Sequence, residues 1–404
     1  MSSTLQPTNP TNSYKPPLPS ILSTHDFERI ASQTLTPKTW AFYASGATDM
    51  LTCESNKTTY DRILLRPRIL RNVTSVSTRT TILGCEMQLP LFVSPAAMAT
   101  LVHPDGEVAI ARACARFGVG QCISTNASYP LPTITSSPLP TSTGAPFFLQ
   151  LYIHKSRSVS QHLLHLAHAS NIRAIFVTVD APVAGKREAD ERVPLDTTDR
   201  RFFTPLPMSG AQIGSDGKGA GLGRTMGQYI DASLTWEDLR WLRRNTHLPI
   251  VLKGVQTAED AVLAVEAGVE GIVVSNHGGR GVDTSTSSIA VLMEIRRCCP
   301  EVFDKLEVFV DGGIRRGTDI IKAICLGAKA VGMGRAFLYS LCYGQEGVER
   351  LIEIMKDELE TTMRLLGITD LSQAHPGLLN TLDVDHLIPK EIGASCENMV
   401  KARL

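Results

Sequence analysis

Residues 249–276 read PIVLKGVQTAEDAVLAVEAGVEGIVVSN and contain the repeating unit of the fold. Two continuous apolar runs, Pro249–Gly254 and Gly271–Asn276, flank the amphipathic segment Glu259–Ala267. Unbroken apolar runs bounded by Gly, Asn or Ser are typical of parallel strands that are buried on both faces. The stretch therefore predicts a strand, a crossover helix and a second parallel strand.

Runs of this kind occur eight times along the chain. The other six are Leu91–Pro95, Val119–Ser124, Phe147–Tyr152, Ala174–Asp180, Val308–Gly313 and Ala330–Arg335. A second amphipathic segment, Asp319–Leu326, lies between the last two runs. Eight strand–helix units favour an α/β fold of the closed (β/α)8 TIM-barrel type over an open doubly wound sheet, because closure explains the count.

One gap between the predicted strands is much longer than the others. About 75 residues separate the starts of strands 4 and 5, and residues 205–224 within this gap are rich in Gly, Ser and Pro. An irregular insertion of this length is usually an active-site lid or disordered. A tolerated surface insertion is the alternative.

The ends of the chain lie outside the predicted barrel. Residues 1–20 are rich in Pro, Ser and Thr and predict a flexible tail. Two helical pieces follow between Thr24 and about Ala44, as an N-terminal extension of the barrel. We expect one domain over residues 21–390 and a C-terminal tail over 391–404.

Composition excludes several classes of function. The chain has 404 residues, and its 40 Lys+Arg balance its 40 Asp+Glu, so no positive surplus points to nucleic acid. No apolar run approaches the roughly 20 residues that span a bilayer, and the N-terminus lacks the apolar segment of a secretory signal. The nine cysteines are scattered without a CxxC pair, which indicates reduced thiols and neither a disulfide framework nor a metal site. We expect a soluble intracellular protein.

Polar residues gather at the carboxyl ends of the predicted strands, where TIM barrels place their active sites. His277 directly follows strand 6 in Ser275–Asp283 (SNHGGRGVD), and Arg280 can turn back toward the same pocket through two glycines. A histidine is the natural proton acceptor near neutral pH, and an arginine can clamp a carboxylate. From the residues alone, a structural histidine is an equal alternative. Asp180 is then better explained as a helix cap and Arg187 as a solvated charge.

Two glycine-rich loops follow strands 7 and 8. Asp311–Gly317 (DGGIRRG) and Gly332–Arg335 (GMGR) could cradle a phosphate, with ordinary glycine turns as the alternative. Lys253 lies inside strand 5, where an unpaired charge is costly, so it needs an anionic partner.

These motifs identify a resemblance over roughly residues 24–370. The chain resembles the FMN-dependent α-hydroxy-acid oxidases and dehydrogenases, which include glycolate oxidase and the flavin domain of flavocytochrome b2. The resemblance rests mainly on Ser275–Asp283, Asp311–Asp319 (DGGIRRGTD) and Thr178–Asp190 (TVDAPVAGKREAD). It is greatest for fungal members, although the N-terminal tail is too short for their fused haem domain.

The resemblance implies roles for individual residues. His277 would be the base and Asp180 its partner, while Arg280, Arg187 and Tyr152 would bind the substrate. The implied FMN contacts are Pro95, Ala96, Ala97, Ser124, Gln150, Thr178, Lys253, Ser275, Asp311, Gly312, Gly313, Arg315, Gly334 and Arg335. The last six belong to the two glycine-rich loops and would bind the phosphate.

The sequence departs from the family pattern at three places. Phe42 stands where the family has a tyrosine that binds the substrate carboxylate, so one hydroxyl is missing. Asn126 replaces an aromatic residue often found after strand 2, and Arg280-Gly281-Val282-Asp283 replaces the usual Arg-Gln-Leu-Asp. We therefore expect an active flavoenzyme whose substrate is neither glycolate nor lactate.

The resemblance implies oxidation of an (S)-2-hydroxy acid to a 2-oxo acid, with O₂ as acceptor and hydrogen peroxide as product. One alternative is dehydrogenation of a C–N bond in a cyclic amino acid of secondary metabolism. Another is a flavin-binding scaffold that has lost catalysis. The family also implies a homotetramer, and Ala402-Arg403-Leu404, a variant of the Ser-Lys-Leu address, predicts a peroxisomal protein.

Overall fold

The computed structural model describes residues 15–138, 144–203, 205–211 and 221–389, and its centre is a closed barrel of eight parallel strands. The barrel strands 1–8 are Leu91–Val93, Gly120–Ile123, Phe147–Leu151, Ile172–Thr178, Ile250–Val255, Gly271–Val274, Glu307–Asp311 and Ala330–Met333. Strand 8 pairs with strand 1, with Gly332 opposite Phe92, and this pairing closes the barrel. Each predicted run overlaps one of these strands, with bounds that differ by a few residues, so the (β/α)8 prediction is confirmed.

Helices connect the strands around the outside of the barrel. Their bounds are Gly106–Phe117, Leu131–Thr135, Arg157–Ala169, Glu188–Arg192, Leu222–Gly227, Asp238–Asn245, Ala258–Glu266, Ser288–Cys298, Val302–Lys305, Gly317–Cys325, Arg335–Ser340 and Gly344–Leu366. The helix that begins at Ala258 shows why they form: Thr257 accepts a hydrogen bond from the Asp260 amide as N-cap, and Ala258, Ala261 and Ala264 form the buried face. Short 3-10 turns complete the connections, at Leu18–Ser20, Ala99–Leu101, Arg200–Phe202, Leu341–Tyr343, Leu371–Gln373, Pro376–Leu378 and Asp385–Leu387.

Aromatic rings fill the inside of the barrel, and a hairpin closes its amino-terminal end. The hairpin pairs Thr80–Ile82 with Cys85–Met87, and its residues Ile82 and Met87 join the interior cluster around Phe309. A backbone amide at the hairpin turn donates to the Glu307 carboxylate at the start of strand 7. Because this end is plugged, a ligand site is left to the carboxyl end of the strands.

Three helices precede the barrel, and the sequence predicted only two of them. Thr24–Thr34 and Pro37–Ala44 lie where expected. Leu51–Arg62 was missed because its sequence is mostly polar and has no clear apolar stripe. A two-stranded sheet pairs Leu64–Leu65 with Leu379–Asn380.

The predicted tail over residues 1–20 requires a correction at its inner end. Lys15 donates to the Cys342 carbonyl over 2.5 Å, and the Pro16 carbonyl accepts from the Tyr343 hydroxyl over 2.8 Å. Residues 15–20 are therefore docked on the barrel's final helices and are not free. Residues 1–14, and the C-terminal tail with Ala402-Arg403-Leu404, lie outside the described residues. Within the described ranges, no helix is both long and apolar enough to cross a membrane.

The insertion after strand 4 folds back over the carboxyl end of the barrel. Its helix Glu188–Arg192 is anchored by Asp190, whose carboxylate pairs with Lys38 at 2.7 Å, both side chains being almost fully buried. The same carboxylate accepts a hydrogen bond from the Gly223 amide over 3.3 Å. The described parts of the insertion are thus bound to the body of the protein, which argues against a merely tolerated surface loop. Residue 204 and residues 212–220 lie outside the description.

Candidate active site

A cavity opens at the carboxyl end of the barrel, and residues in or just after each of the eight strands line it. The atom-free space, counted to the open mouth, is about 1680 Å³. All of the predicted site residues line this cavity except Asp180 and Ser275. These two lie one layer behind it, in contact with His277 and Lys253. The barrel therefore brings together one site from residues that span most of the chain.

His277 and Asp180 form a pair across the site. The Nδ1 atom of His277 lies 2.8 Å from Oδ1 of Asp180, whose side chain is 1% exposed. Burial alone would raise the pKa of Asp180, but the charge and hydrogen bond of His277, with help from Lys253, lower it below the usual range. Asp180 is thus a carboxylate that fixes Nδ1 and leaves the Nε2 atom of His277 for a ligand.

The position of His277 also depends on the conformation of its own backbone. Its φ of 59° is left-handed, and its amide donates to the Ser275 hydroxyl over 3.1 Å. A non-glycine residue in this region is uncommon, and such conformations concentrate at functional sites. The backbone geometry favours a functional histidine over a structural one.

Two guanidinium groups lie on the substrate side of the cavity. Arg280 donates to the Phe42 carbonyl over 2.8 Å, and its guanidinium lies 5.1 Å from the centre of the Phe42 ring. Burial lowers the pKa of Arg280 well below its usual range, and nearby Arg187 lowers it further. Burial also lowers the pKa of Arg187, whose buried Nε has no hydrogen-bond partner among the described residues. Two buried cations that repel each other form a natural site for an anion.

Tyr152 completes this side of the cavity. Burial raises its pKa to about 12, and the charge of Asp180 acts in the same direction. The phenol therefore stays protonated at neutral pH and can donate a hydrogen bond to a ligand. Its ring meets that of Tyr229 edge-on, with 6.3 Å between the ring centres.

Lys253 is a buried cation in the floor of the cavity. Its Nζ donates to the Ser275 hydroxyl over 3.0 Å and lies 3.3 Å from Oδ2 of Asp311, while the residue is only 4% exposed. Burial alone would lower the pKa of Lys253, but the carboxylates of Asp311 and Asp180 raise it above the usual lysine range. The sequence predicted an anionic partner, and Asp311 provides one within the protein.

A chain of amide and hydroxyl groups crosses the ends of strands 2, 3 and 4. Gln150 donates through Nε2 to the Thr178 hydroxyl over 3.0 Å, and its Oε1 accepts from the Thr125 amide over 3.1 Å. Ser124 lies at 3.4 Å from the same oxygen. These groups give the cavity wall fixed donors and acceptors, as recognition of a planar polar ring requires.

The two glycine-rich loops meet beside the helix Leu51–Arg62. Gly313 has φ 88°, and a Cβ there would lie 2.0 Å from the Asn56 carbonyl, so only glycine fits. Arg315 contacts Asp61 at 3.2 Å, while its buried Nε has no partner among the described residues. Open backbone and an unpaired guanidinium nitrogen fit a phosphate.

The contacts of Arg335 differ from those expected of a residue that binds phosphate. Its guanidinium lines the cavity but donates to the carbonyls of Tyr43, Ser45 and Gly278, at 3.1, 3.2 and 2.9 Å. It also contacts Cys53. Its described contacts tie the N-terminal helices to the loops after strands 6 and 8, and its predicted role in phosphate binding remains a prediction.

The residues present fit FMN. The cavity offers a buried lysine, a wall of amide donors and acceptors, and a glycine-rich end beside an unpaired guanidinium nitrogen. These features match in turn an electron-accepting ring, its polar edge and a phosphate. Bound FMN would contact Lys253, Gln150 and Thr178 through its ring and the loop after strand 7 through its phosphate.

Several lining residues were not identified from the sequence. They are Thr24, Glu28, Tyr43, Cys53, Lys57, Met226 and Ile230. The first five come from the N-terminal helices, and the last two come from the insertion after strand 4. None of these residues belongs to a motif, so no local signal could have placed them beside the strand ends.

Comparison with known proteins agrees with this site. Residues 31–381 match the profile described as FMN-dependent dehydrogenase. The L-lactate dehydrogenase (cytochrome) of Saccharomyces cerevisiae is 44% identical over 371 residues, which cover 90% of this chain and 61% of that protein. The enzyme of the same name from Wickerhamomyces anomalus is 40% identical and covered over 63% of its length, so the chain spans about three fifths of these relatives. Glycolate oxidase of Spinacia oleracea is 40% identical, with 88% of this chain and 95% of that protein covered.

Solved structures share the fold over nearly the whole chain. A variant of flavocytochrome b2 superposes with a TM-score of 0.81 at 41% identity and covers 96% of this chain and 94% of its own. Mandelate oxidase with (S)-4-hydroxymandelic acid gives a TM-score of 0.80 at 36% identity, with coverage of 89% and 98%.

Proposed function

The chain belongs to the FMN-dependent dehydrogenase family, and we propose that it oxidises an (S)-2-hydroxy acid to a 2-oxo acid, with O₂ as the final acceptor. The observation that carries the proposal is the His277–Asp180 pair, which lies in one cavity with the guanidinium groups of Arg187 and Arg280. A proton acceptor beside a site for an anion is what the oxidation of a 2-hydroxy acid requires. Relatives named for lactate, glycolate and mandelate support the same substrate class.

Binding of the substrate is the task of the two arginines and Tyr152. The carboxylate neutralises the repulsion between the partly buried guanidinium groups of Arg187 and Arg280. Tyr152 donates its hydroxyl proton to an oxygen of the substrate, since a pKa of about 12 keeps it protonated. These contacts fix the position of the C2 carbon relative to His277.

Proton transfer is the task of His277. Its Nε2 accepts one proton of the substrate, because Nδ1 is already bound to Asp180. The Asp180 carboxylate, whose side chain is only 1% exposed, stabilises the resulting imidazolium. Bound FMN would supply the acceptor for the two electrons and the second hydrogen that the substrate loses.

Anaerobic mixing of the purified yellow protein with a panel of 2-hydroxy acids and cyclic amino acids tests this function. We expect a hydroxy acid to bleach the flavin band, and we expect His277→Ala to lose the effect. Bleaching by a cyclic amino acid alone would replace the proposal by C–N dehydrogenation. Phe42 favours this second candidate, since its buried ring offers no hydroxyl to a hydroxy acid. A protein that no compound bleaches would instead be a flavin-binding scaffold.

The proposal extends to oxygen as acceptor, to a homotetramer and to the peroxisome. Production of peroxide by the reaction supports peroxisomal targeting through Ala402-Arg403-Leu404, because the peroxisome keeps peroxide apart from the rest of the cell. Oxygen consumption during turnover tests the acceptor, and light scattering tests the assembly. An N-terminal fluorescent fusion, with and without the last three residues, tests the targeting.

A further inference from the structure

A side-chain amide in the cavity wall has an NH₂ group without a hydrogen-bond partner among the described residues. Asn126 follows strand 2, is 4% exposed and lines the cavity. Its backbone is fully engaged, since its amide donates to the Ser124 hydroxyl over 3.0 Å and its carbonyl accepts from the Met98 amide over 3.0 Å. Its side-chain Oδ1 accepts from the Tyr229 hydroxyl over 3.1 Å. Its Nδ2 makes no hydrogen bond to any residue in the described ranges.

Tyr229 decides which end of this amide faces the ligand. Burial raises the pKa of Tyr229 well above its usual range, so the phenol always carries a proton to donate. That proton is donated to Oδ1 of Asn126, and the Ser209 side chain also interacts with the phenol. The ring of Tyr229 is held by His154, which stacks on it with 5.3 Å between the ring centres. Oδ1 is therefore occupied, and the NH₂ group is the end left for a ligand.

The amide lies on the substrate side of the cavity. Tyr229 packs against Tyr152, and the Tyr152 phenol is close enough to Asp180, Arg187 and Arg280 for their charges to act on it. The Asn126 amide is thus next to the group that binds the substrate oxygen.

Apolar residues of the insertion after strand 4 also line the cavity. They are Ala184, Met226 and Ile230, and the last two lie within three residues of Tyr229 in the chain. They come together at Gly227, where a Cβ would lie 3.5 Å from Cβ of Ala184 and 4.0 Å from Cδ1 of Ile230. An amide donor in a cavity that also has apolar lining favours a compact substrate side chain that carries a hydrogen-bond acceptor.

We infer that Asn126, oriented by Tyr229, is a specificity-determining residue that selects 2-hydroxy acids whose side chain carries a carbonyl or hydroxyl oxygen. This inference rests on the proposed function and specifies its substrate. A substrate with a wholly apolar side chain leaves the Asn126 NH₂ group desolvated and unpaired, which costs affinity. Asn126 touches the substrate, and Tyr229 is a positioning residue behind it.

Two substrates of equal shape test the inference in the FMN-loaded protein. They are 4-amino-2-hydroxy-4-oxobutanoate and 2-hydroxy-4-methylpentanoate, which differ only in an amide against an isopropyl group. We expect Asn126→Leu to lower the ratio of their kcat/KM values, amide over isopropyl, by about tenfold, the value of one hydrogen bond. Tyr229→Phe should lower the ratio less and mainly through KM, because it frees the amide to rotate. The ratio of the calorimetric Kd values of the two 2-oxo products should likewise change more in Asn126→Leu than in Tyr229→Phe.

Tyr129→Phe is the matched control. The Tyr129 hydroxyl donates to the Pro104 carbonyl over 2.8 Å, and Tyr129 does not line the cavity, so the ratio should stay at the wild-type value. A ratio that changes less than twofold in both Asn126→Leu and Tyr229→Phe would overturn the inference, as would an equal loss for both substrates. Turnover of either hydroxy acid by those proteins would show that the proposed function survives. Turnover of no hydroxy acid by the wild type would show that the proposed function itself has failed.

Discussion

Replacing Asp180 by Asn tests whether the pair with His277 performs the proton transfer. The change preserves shape, which matters because a Cβ at Gly254 would lie only 2.5 Å from the Asp180 side chain and leaves no room for Glu. It removes a charge-assisted hydrogen bond of 2.8 Å from a carboxylate that is 1% exposed. A bond of this kind in a site of reduced dielectric is worth about 2–4 kcal/mol to the imidazolium, which converts to a loss of about 30- to 1000-fold in kcat.

Stopped-flow measurement of flavin bleaching under anaerobic conditions isolates the step that this loss affects. We expect the bleaching rate to fall by that factor while the Kd of the 2-oxo acid changes little, because the arginines are intact. Asp383→Asn is the control: it makes the same chemical change at an exposed carboxylate that pairs with Arg62, and it should keep the wild-type rate. A bleaching rate for Asp180→Asn within threefold of the wild type would refute the role of Asp180 in stabilising the imidazolium.

Three further predictions concern the cofactor floor, the substrate side and the N-terminal helices. Lys253→Met leaves the Asp311 carboxylate buried without its cation, so the free energy of unfolding measured in denaturant should fall by about 3–5 kcal/mol, and retention of wild-type stability would contradict the pairing. Phe42→Tyr adds a hydroxyl to a buried ring that lines the cavity, and the KM for a 2-hydroxy acid should fall by about two- to tenfold if the hydroxyl binds the carboxylate. The Asp283 carboxylate accepts a hydrogen bond from the Thr52 amide over 2.8 Å. Burial alone would raise the pKa of Asp283, but its hydrogen bonds lower the pKa to about 2. The Asp283 carboxylate therefore stabilises the folded protein fully above about pH 4, and this contribution is lost as pH falls through about 2. The Tm difference between the wild type and Asp283→Asn should shrink over that interval.

Much of the fold and of the site follows from local sequence. Strands buried on both faces must be apolar throughout, so each barrel strand left a continuous run that could be counted. The carboxyl ends of parallel strands meet at one end of a barrel, which is why the sequence alone predicts that His277, Lys253 and Asp311 share one cavity. The helix Leu51–Arg62 was missed because it is held by contacts with the loops after strands 6 and 7, and it has no periodic apolar face.

The sequence by itself determined the number of strands, their order along the chain and the residues at their ends, because these depend on burial patterns a few residues long. Only the tertiary structure decided which of those residues touch one another. The Tyr229 hydroxyl binds Asn126 across 103 positions, the Arg335 guanidinium binds the Tyr43 carbonyl across 292, and Lys38 pairs with the distant Asp190. Such contacts form when barrel closure brings remote loops to the same end, and no local pattern records which loops will meet.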